Sequence, residues 1–441
     1  MKSLEEYIAL HAQQIPETLA VVTNQGSLTY SQLQKVIAYK KEAYGKNAGR
    51  TVVLKATQNM DFLCNYFAAH LAGEGVALIA ADAPDCFVED LEEKMADVRL
   101  PEGVADLLFT SGTTCSPKCV MLSHEAIMAD GENLIESQGF HKEMTFIIAG
   151  PMNHFGCLSK LYATLMVGAT ARLLSGMKNI HAFLESIRQA DHKVGIFLIP
   201  SNIKILLSVC AKSLAELKHK IEFIETGGDF CSTELLGKLQ EKLPYTRLYN
   251  TYASTEAGVM TTCRYDEHYV SGNLGKALPN SQISISEDGH IVCTGKTVFS
   301  GYLILDGNGF EVELRGGDPY VSGDLGVLDA EGNLLFRSRD NDIIKTGGYS
   351  VCPQEVETAA LELPEVKDCI CISRKHPILG NALELLVVPE SNGDIDGKKI
   401  SRDLFSKLNC NYKVPLYYKK VDSLKYSSRG KVNRMYYQAF A

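Results

Sequence analysis

Hydrophobic and polar positions along the chain switch between two periods. TVVLKA (51–56) is short and β-branched, which predicts a strand. DFLCNYFAAHLAG (61–73) repeats its apolar residues at helical intervals and stops on Gly73, which predicts a helix, and VALIA (76–80) predicts the next strand. The alternation continues through SKLYATLMVG (159–168, helix), ATARLL (169–174, strand), HAFLESIRQA (181–190, helix), KVGIFLIP (193–200, strand), SNIKILLSVC (201–210, helix) and IEFIET (221–226, strand). Helices and strands in alternation imply a layered α/β architecture. IEFIET runs onto Gly227 and Gly228, at the carboxyl end of a strand, where ligands approach the backbone of open α/β sheets.

After about residue 270 the texture changes. SQISIS (281–286), HIVCTG (290–295) and GVLDAEGNLLFRS (326–338) predict antiparallel strands, with DAEGN (329–333) as a hairpin turn. The charged run RSRDND (337–342) reads as a linker. Beyond it, QEVETAALELPEV (354–366) predicts an amphipathic helix, KDCICISR (367–374) and ALELLVVPE (382–390) strands, and SRDLFSKLNCNY (401–412) a helix. The expected fold is α/β: a large N-terminal domain of layered sheets with a β-rich subdomain (1–339), joined by a hinge to a small α+β C-terminal domain (340–441).

A length of 441 residues agrees with two or three folding units. The net charge of -9 argues against a nucleic-acid partner, which would call for a surplus of Lys and Arg. No run of eighteen apolar residues is present, so no membrane span is expected. The start, MKSLEEYIALHAQQ, carries early acids and lacks the apolar core of an export signal. Its 13 cysteines are scattered without a small-domain spacing, which fits a reduced, cytoplasmic protein. Cys115 and Cys119 have no neighbouring histidines to complete a zinc site.

Chemistry concentrates in a few stretches. LLFTSGTTCSPKCV (107–120) leads from a strand into Thr110, Ser111, Gly112, Thr113 and Thr114, then Ser116, Pro117 and Lys118. Exposed backbone N–H groups in such a loop cradle anions, and Lys118 adds a positive charge. The loop is not a Walker motif, because Gly112 lacks a Gly-Lys-Ser/Thr partner at the required distance, and no G-x-G-x-x-G opens a helix after a strand. YNTYASTEAG (249–258) sets Glu256 among Thr251, Tyr252, Ser254 and Thr255. Glu256 there either holds Mg²⁺ on phosphate oxygens or sits in the first turn of a helix capped by Ser254 or Thr255. In YVSGDLG (320–326), Asp324 either grips ribose hydroxyls or makes an Asx turn. SSRGKVNR (427–434) is either a basic tail or the carrier of a working lysine, Lys431.

These stretches together resemble the adenylate-forming enzymes, the superfamily of acyl- and aryl-CoA synthetases, firefly-type luciferases and peptide-synthetase adenylation domains. The loop TSGTTxSPK matches that family's phosphate loop, with Cys115 and Cys119 standing where glycines are usual. Asn250, Tyr252, Thr255 and Glu256 match N-x-Y-G-x-T-E, with Ala253 in place of the glycine. SRDNDIIKTGGYSVCPQEVE (338–357) resembles the family's hinge segment, and Gly430, Lys431, Val432 and Arg434 match its C-terminal lysine motif. Weaker matches are LTYSQL (28–33), GNLGKALPN (272–280), IVCTGKTVFSGYL (291–303) and PMNHFG (151–156).

The resemblance implies a ligase that uses ATP and Mg²⁺ to turn a carboxylic acid into an acyl-AMP, then passes the acyl group to the thiol of CoA or of a phosphopantetheine carrier protein. It implies β- and γ-phosphates on residues 110–118, Tyr252 against adenine, Thr255 on the α-phosphate, Glu256 on Mg²⁺, Asp324 and Arg339 on the ribose, and catalytic Lys431 at the reacting centre. Asn341 would be the hinge. Gly347, Gly348 and Tyr349 would approach the pantetheine arm. His154 or Phe155 and Gly258 would edge the acyl pocket. PMNHFGCLSK offers no aspartate for an α-amino group, which favours an aliphatic or aryl acid over an amino acid. The other reading is a non-catalytic nucleotide- or acyl-binding protein on the same fold.

Overall fold

The computed structural model describes residues 3–44, 50–110, 118–177, 179–306, 309–346, 349–391, 393–426 and 432–438. The alternating segments build two large sheets. One has eight strands in the order Gly258–Arg264, Arg247–Ser254, Ile221–Gly227, Lys193–Leu198, Met144–Ile148, Thr170–Leu173, Leu19–Thr23, Gly26–Thr29. Its inner pairings are parallel, and the pair at each edge is antiparallel. From Met144–Ile148 the chain first adds Thr170–Leu173 on one side and then Lys193–Leu198 on the other. Strand order therefore reverses between Met144–Ile148 and Lys193–Leu198, and the carboxyl ends of these strands flank the crevice where such sheets take ligands.

The other large sheet has six strands, in the order Gly309–Leu314, Gly301–Asp306, Lys118–Ser123, Val104–Thr110, Gly75–Ile79, Thr51–Lys55. One apolar core joins both sheets through the helices Leu4–Gln14, His124–Gln138 and Phe155–Met166. Phe155–Met166 is buried over nearly its whole surface, as an all-round apolar helix between layers should be. A four-stranded antiparallel sheet follows: Ser281–Ile285, His290–Gly295, Tyr320–Leu328 and Leu334–Arg339. Beyond it, a three-stranded sheet of Val366–His376, Gly380–Pro389 and Tyr417–Lys420 packs with the helices Pro353–Leu361 and Gly397–Leu408 around apolar clusters drawn from residues 344–437.

Three boundaries differ from the sequence expectation, each for a local reason. The helix expected over 354–366 ends at Leu361, because Pro364 disfavours helical backbone at Leu363. Pro200 opens the helix Pro200–Glu216 instead of closing a strand, its missing N–H costing nothing in a first turn. Arg337, Ser338 and Arg339, read as linker, are strand residues paired with Tyr320–Leu328, so the polar interruption starts only at the one-turn 3-10 helix Asp340–Asp342.

A buried polar cluster ties the layers together. His70, on the helix Met60–Leu71, stands with Nδ1 3.2 Å from Glu5 Oε1 and Nε2 3.2 Å from Asp106 Oδ1. Tyr66 and Tyr162 both donate to Asp106 Oδ2. Burial opposes the imidazolium, but hydrogen bonds and charge from Asp106 and Glu5 outweigh it and hold His70 at a pKa of about 10. A folded-state pKa above the unfolded value of about 6.5 adds stability that is complete below pH 6.5 and disappears as pH rises through 10. Chemical denaturation across pH 6.5 to 10 should therefore show stability falling, and His70→Gln should flatten that slope; an unchanged slope would remove His70 as its source.

Candidate active site

The chemistry-bearing loop is the connection of a hairpin. Val104–Thr110 pairs antiparallel with Lys118–Ser123, Thr110 stands opposite Lys118, and Thr110 Oγ1 donates to the Lys118 carbonyl at 3.5 Å. Ser111, Gly112, Thr113, Thr114 and Cys115 lie outside the described residues. Cys119 is not a loop residue. It pairs with Phe109 and Leu303 inside the sheet, is fully buried, and burial pushes its thiol well up. A side chain there fills the core and strains no turn.

Lys118 leads from this hairpin to the rest of the site. Its Nζ lies 5.0 Å from the centroid of the Tyr302 ring, a cation–π contact. Burial, together with the charge of the nearby Glu256 carboxylate, pushes the Tyr302 phenol well above its usual range.

Glu256 sits in the turn 255–257, which joins Arg247–Ser254 to Gly258–Arg264. No helix begins there, so the helix-cap alternative falls; Ser254 Oγ accepts from the Ala257 N–H at 2.9 Å across a hairpin turn. The turn is pinned from outside. The Phe299 N–H donates to the Glu256 carbonyl at 2.9 Å, and Thr297 Oγ1 donates to the Ala257 carbonyl at 2.9 Å. Gly258 closes it at φ +74°, and a Cβ there would meet Asp130 Oδ1 at 2.5 Å and the Thr297 carbonyl oxygen at 2.7 Å, so only glycine fits. Thr255 shares the turn. Burial raises the Glu256 carboxyl, while Arg339 and Lys118 pull it back down and Asp324 pushes it up. Glu256 thus lies within the electrostatic reach of all three.

Asp324 is the second centre. It is 7% exposed and accepts from the Tyr252 hydroxyl at 3.0 Å and from Arg339 Nε at 2.8 Å, across the strand pair in which Asp324 faces Arg339. Its carboxylate is therefore not spent on an Asx turn; Ser322 Oγ takes the local role by accepting the Asp324 N–H at 3.2 Å. The Arg339 side chain stays 58% exposed, and Asp324 outweighs burial to hold the guanidinium above its ordinary range. Burial and the Asp324 charge raise the Tyr252 phenol well above its usual value.

The remaining residues distribute around these two centres. Gly227 ends its strand opposite Thr251, and a Cβ there would sit 2.7 Å from the Thr251 carbonyl; Gly228 follows, exposed. His154 and Phe155 open the helix Phe155–Met166 beside the point where strand order reverses. Asn250 is buried, with its amide donating to the Tyr269 hydroxyl at 2.9 Å. Asn341 lies in the 3-10 turn directly after Arg339. Tyr349 stacks on Tyr412 at 4.2 Å and 4°. Gly347, Gly348 and Lys431 lie outside the described residues. The chain on either side of Lys431 is held: Tyr426 and Val432 pair, and Arg434 bonds Glu357 at 2.7 Å and the Cys371 carbonyl at 3.0 Å, 3.7 Å from Asp342. Sequence reasoning gave no role to Tyr302 or Phe299, although Gly301-Tyr302 closed one of the weaker motif matches.

A family model described as AMP-binding enzyme matches residues 49–309. A 2-succinylbenzoate–CoA ligase of Staphylococcus aureus (strain JH9) is 28% identical over 343 residues, covering 76% of this chain and 66% of that relative. The chain thus matches just under two thirds of the length of that curated relative. Among solved structures, ATP-bound MatB from Rhodopseudomonas palustris superposes with a TM-score of 0.84 at 21% identity, covering 100% of this chain and 99% of the other. The o-succinylbenzoate CoA synthetase from Bacillus subtilis, in complex with its acyl-adenylate intermediate OSB-AMP, gives 0.77 at 22% identity, covering 97% of each chain. At these identities the structural likeness speaks for the fold.

Charged hydrogen bonds of the kind Asp324 makes contribute about 1.5–3 kcal/mol each. Asp324→Asn should therefore weaken AMP binding roughly ten- to a hundredfold in calorimetric titration of protein shown by circular dichroism to be folded. Unaltered AMP affinity would remove Asp324 from the nucleotide site.

Proposed function

This chain belongs to the AMP-binding enzyme family, and from that membership we propose that it activates a carboxylic acid with ATP and passes the acyl group to a thiol, that of CoA. In the first step a carboxylate oxygen attacks the α-phosphorus of ATP, the bond to the β-phosphate oxygen breaks, and pyrophosphate leaves. In the second, the thiol, losing its proton, attacks the acyl carbon, and the bond to AMP breaks. The observation that carries this reading is the convergence of the Lys118–Tyr302 contact and the nearby Glu256 carboxylate with the hydrogen-bonded set Tyr252–Asp324–Arg339. It connects the loop suited to phosphates with a carboxylate suited to a cation and a carboxylate suited to a sugar diol.

Each residue then has a physical task. Thr110, Ser111, Gly112, Thr113, Thr114 and Lys118 hold the outer phosphates. Asp324 and Arg339 hold the ribose, Asn250 and Tyr252 frame the base, and Gly227 and Gly228 let the ligand approach the backbone. The donors around Glu256 are oxygens (its own carboxylate and the hydroxyls of Ser254, Thr255 and Tyr302), which fits Mg²⁺. When bound, the ion neutralises charge on the phosphate oxygens. His154, Phe155 and Gly258 edge the acid pocket.

Residues 1–339 and 340–441 act as two domains with the hinge at Asn341, in keeping with the apolar clusters that residues beyond 344 build for themselves. In this arrangement Lys431 meets the charge that builds up between acid and α-phosphate. Gly347, Gly348 and Tyr349 come to the pantetheine arm after the small domain turns. No helix among the described residues is long and apolar enough to cross a membrane, and the reading needs no nucleic acid.

Carboxylate-dependent exchange of labelled pyrophosphate into ATP tests the first step. Lys431→Ala should lower it by about a hundredfold or more. No exchange with any acid in a broad panel would instead favour a non-catalytic binder. Product analysis with CoA, and separately with a phosphopantetheine carrier, tests the second step: thioester formed on the carrier alone would replace CoA as acceptor.

A further inference from the structure

Three ionisable side chains are buried behind the pocket edge and have no part in the chemistry above. Lys160, one turn after Gly156 on the helix Phe155–Met166, is 2% exposed, and Glu225, on Ile221–Gly227, is 1% exposed. Their Nζ and Oε1 are 2.8 Å apart but out of line for a hydrogen bond, and Glu225 Oε2 meets no donor among the described residues. On the other side, Asp130 lies under Gly258, accepting from the Val259 N–H at 2.7 Å through Oδ1, while Oδ2 meets no donor among the described residues. Burying such charges is costly and adds little stability.

Phe197 connects this cluster to the pocket. Its ring is half-buried, lies 3.3 Å from where a Cβ on Gly156 would stand and 3.9 Å from where one on Gly227 would stand, and carries Lys160 Nζ 5.3 Å from its centroid. Glu225 is the direct sheet neighbour of Phe197 and lies two residues before Gly227, on the same face of the strand. Gly156 and Gly227 thus let the Phe197 ring lie close beside His154 and Phe155, and that ring rests against the Lys160–Glu225 pair.

We propose that Lys160 and Glu225 form the floor of the acid pocket and select a carboxylic acid that carries a neutral hydroxyl at its far end. The inference rests on the acid-activating reading above and names its substrate class. A hydroxyl both donates and accepts, so it gives Glu225 the missing hydrogen bond and takes one from Lys160. A plain hydrocarbon tail leaves Glu225 Oε2 unmet. A second carboxylate faces Glu225, and an ammonium faces Lys160, each with like charge.

The test is pyrophosphate exchange with four acids of one length: unsubstituted, terminally hydroxylated, dicarboxylic and terminally aminated. The hydroxylated acid should lead the unsubstituted one in kcat/KM by about a hundredfold or more. In the double variant Lys160→Met with Glu225→Leu, which removes both charges together, that ratio should fall to near one, with AMP affinity unchanged as the check on folding. A wild-type preference for any of the other three acids overturns the inference while leaving acid activation in place, and so does a preference that survives in a folded double variant. If the double variant does not fold, the wild-type ranking decides alone. Absence of exchange with all four acids and the broad panel overturns acid activation, and this inference with it.

Discussion

The site depends on the backbone hydrogen bond from Phe299 to Glu256 and its companion from Thr297 to Ala257. They fasten the edge hairpin of the eight-stranded sheet to the segment that enters the six-stranded sheet at Gly301. A turn of three residues cannot aim a carboxylate by itself. Held from the neighbouring segment, Glu256 meets Tyr302, which in turn lies under Lys118, and the four-stranded sheet brings Asp324 and Arg339 to the same place. Three sheet edges thus converge, and none of them alone carries a complete set of polar groups.

Low dielectric explains why these groups are linked. Asp324 is almost fully buried, yet it faces a guanidinium and a phenol hydroxyl, so its charge is met without water. His70 solves the same problem between Glu5 and Asp106 in the layer beneath. Lys160 and Glu225 neutralise each other but leave Glu225 Oε2 without a donor among the described residues.

Much of this was legible in the sequence. Period changes located the strands and helices of the α/β layers, and the hydroxyl-rich run, the Thr-Glu turn and the Ser-Gly-Asp turn marked the two centres. What the sequence concealed were contacts between segments distant along the chain. Nothing near Glu256 announces Tyr302, 46 positions later, or shows that Cys119 would be a core residue in a strand and not part of the loop. Lys160 and Glu225 are 65 positions apart, and neither local sequence points to the other. Only the packing of helix on sheet reveals that they meet. Pro200 and Pro364 moved element ends because their backbone limits overrode side-chain periodicity.

Asp368 accepts both from Lys204, on the helix Pro200–Glu216, and from Tyr426, which lies near the chain's end. In the proposed rotation about Asn341, Tyr426 would travel with Asp368 and Lys204 would stay behind. On that proposal the Lys204–Asp368 contact would be a latch between the two halves, and a partly exposed ion pair of this kind contributes only about 0–1 kcal/mol. Thermal agitation suffices to release it.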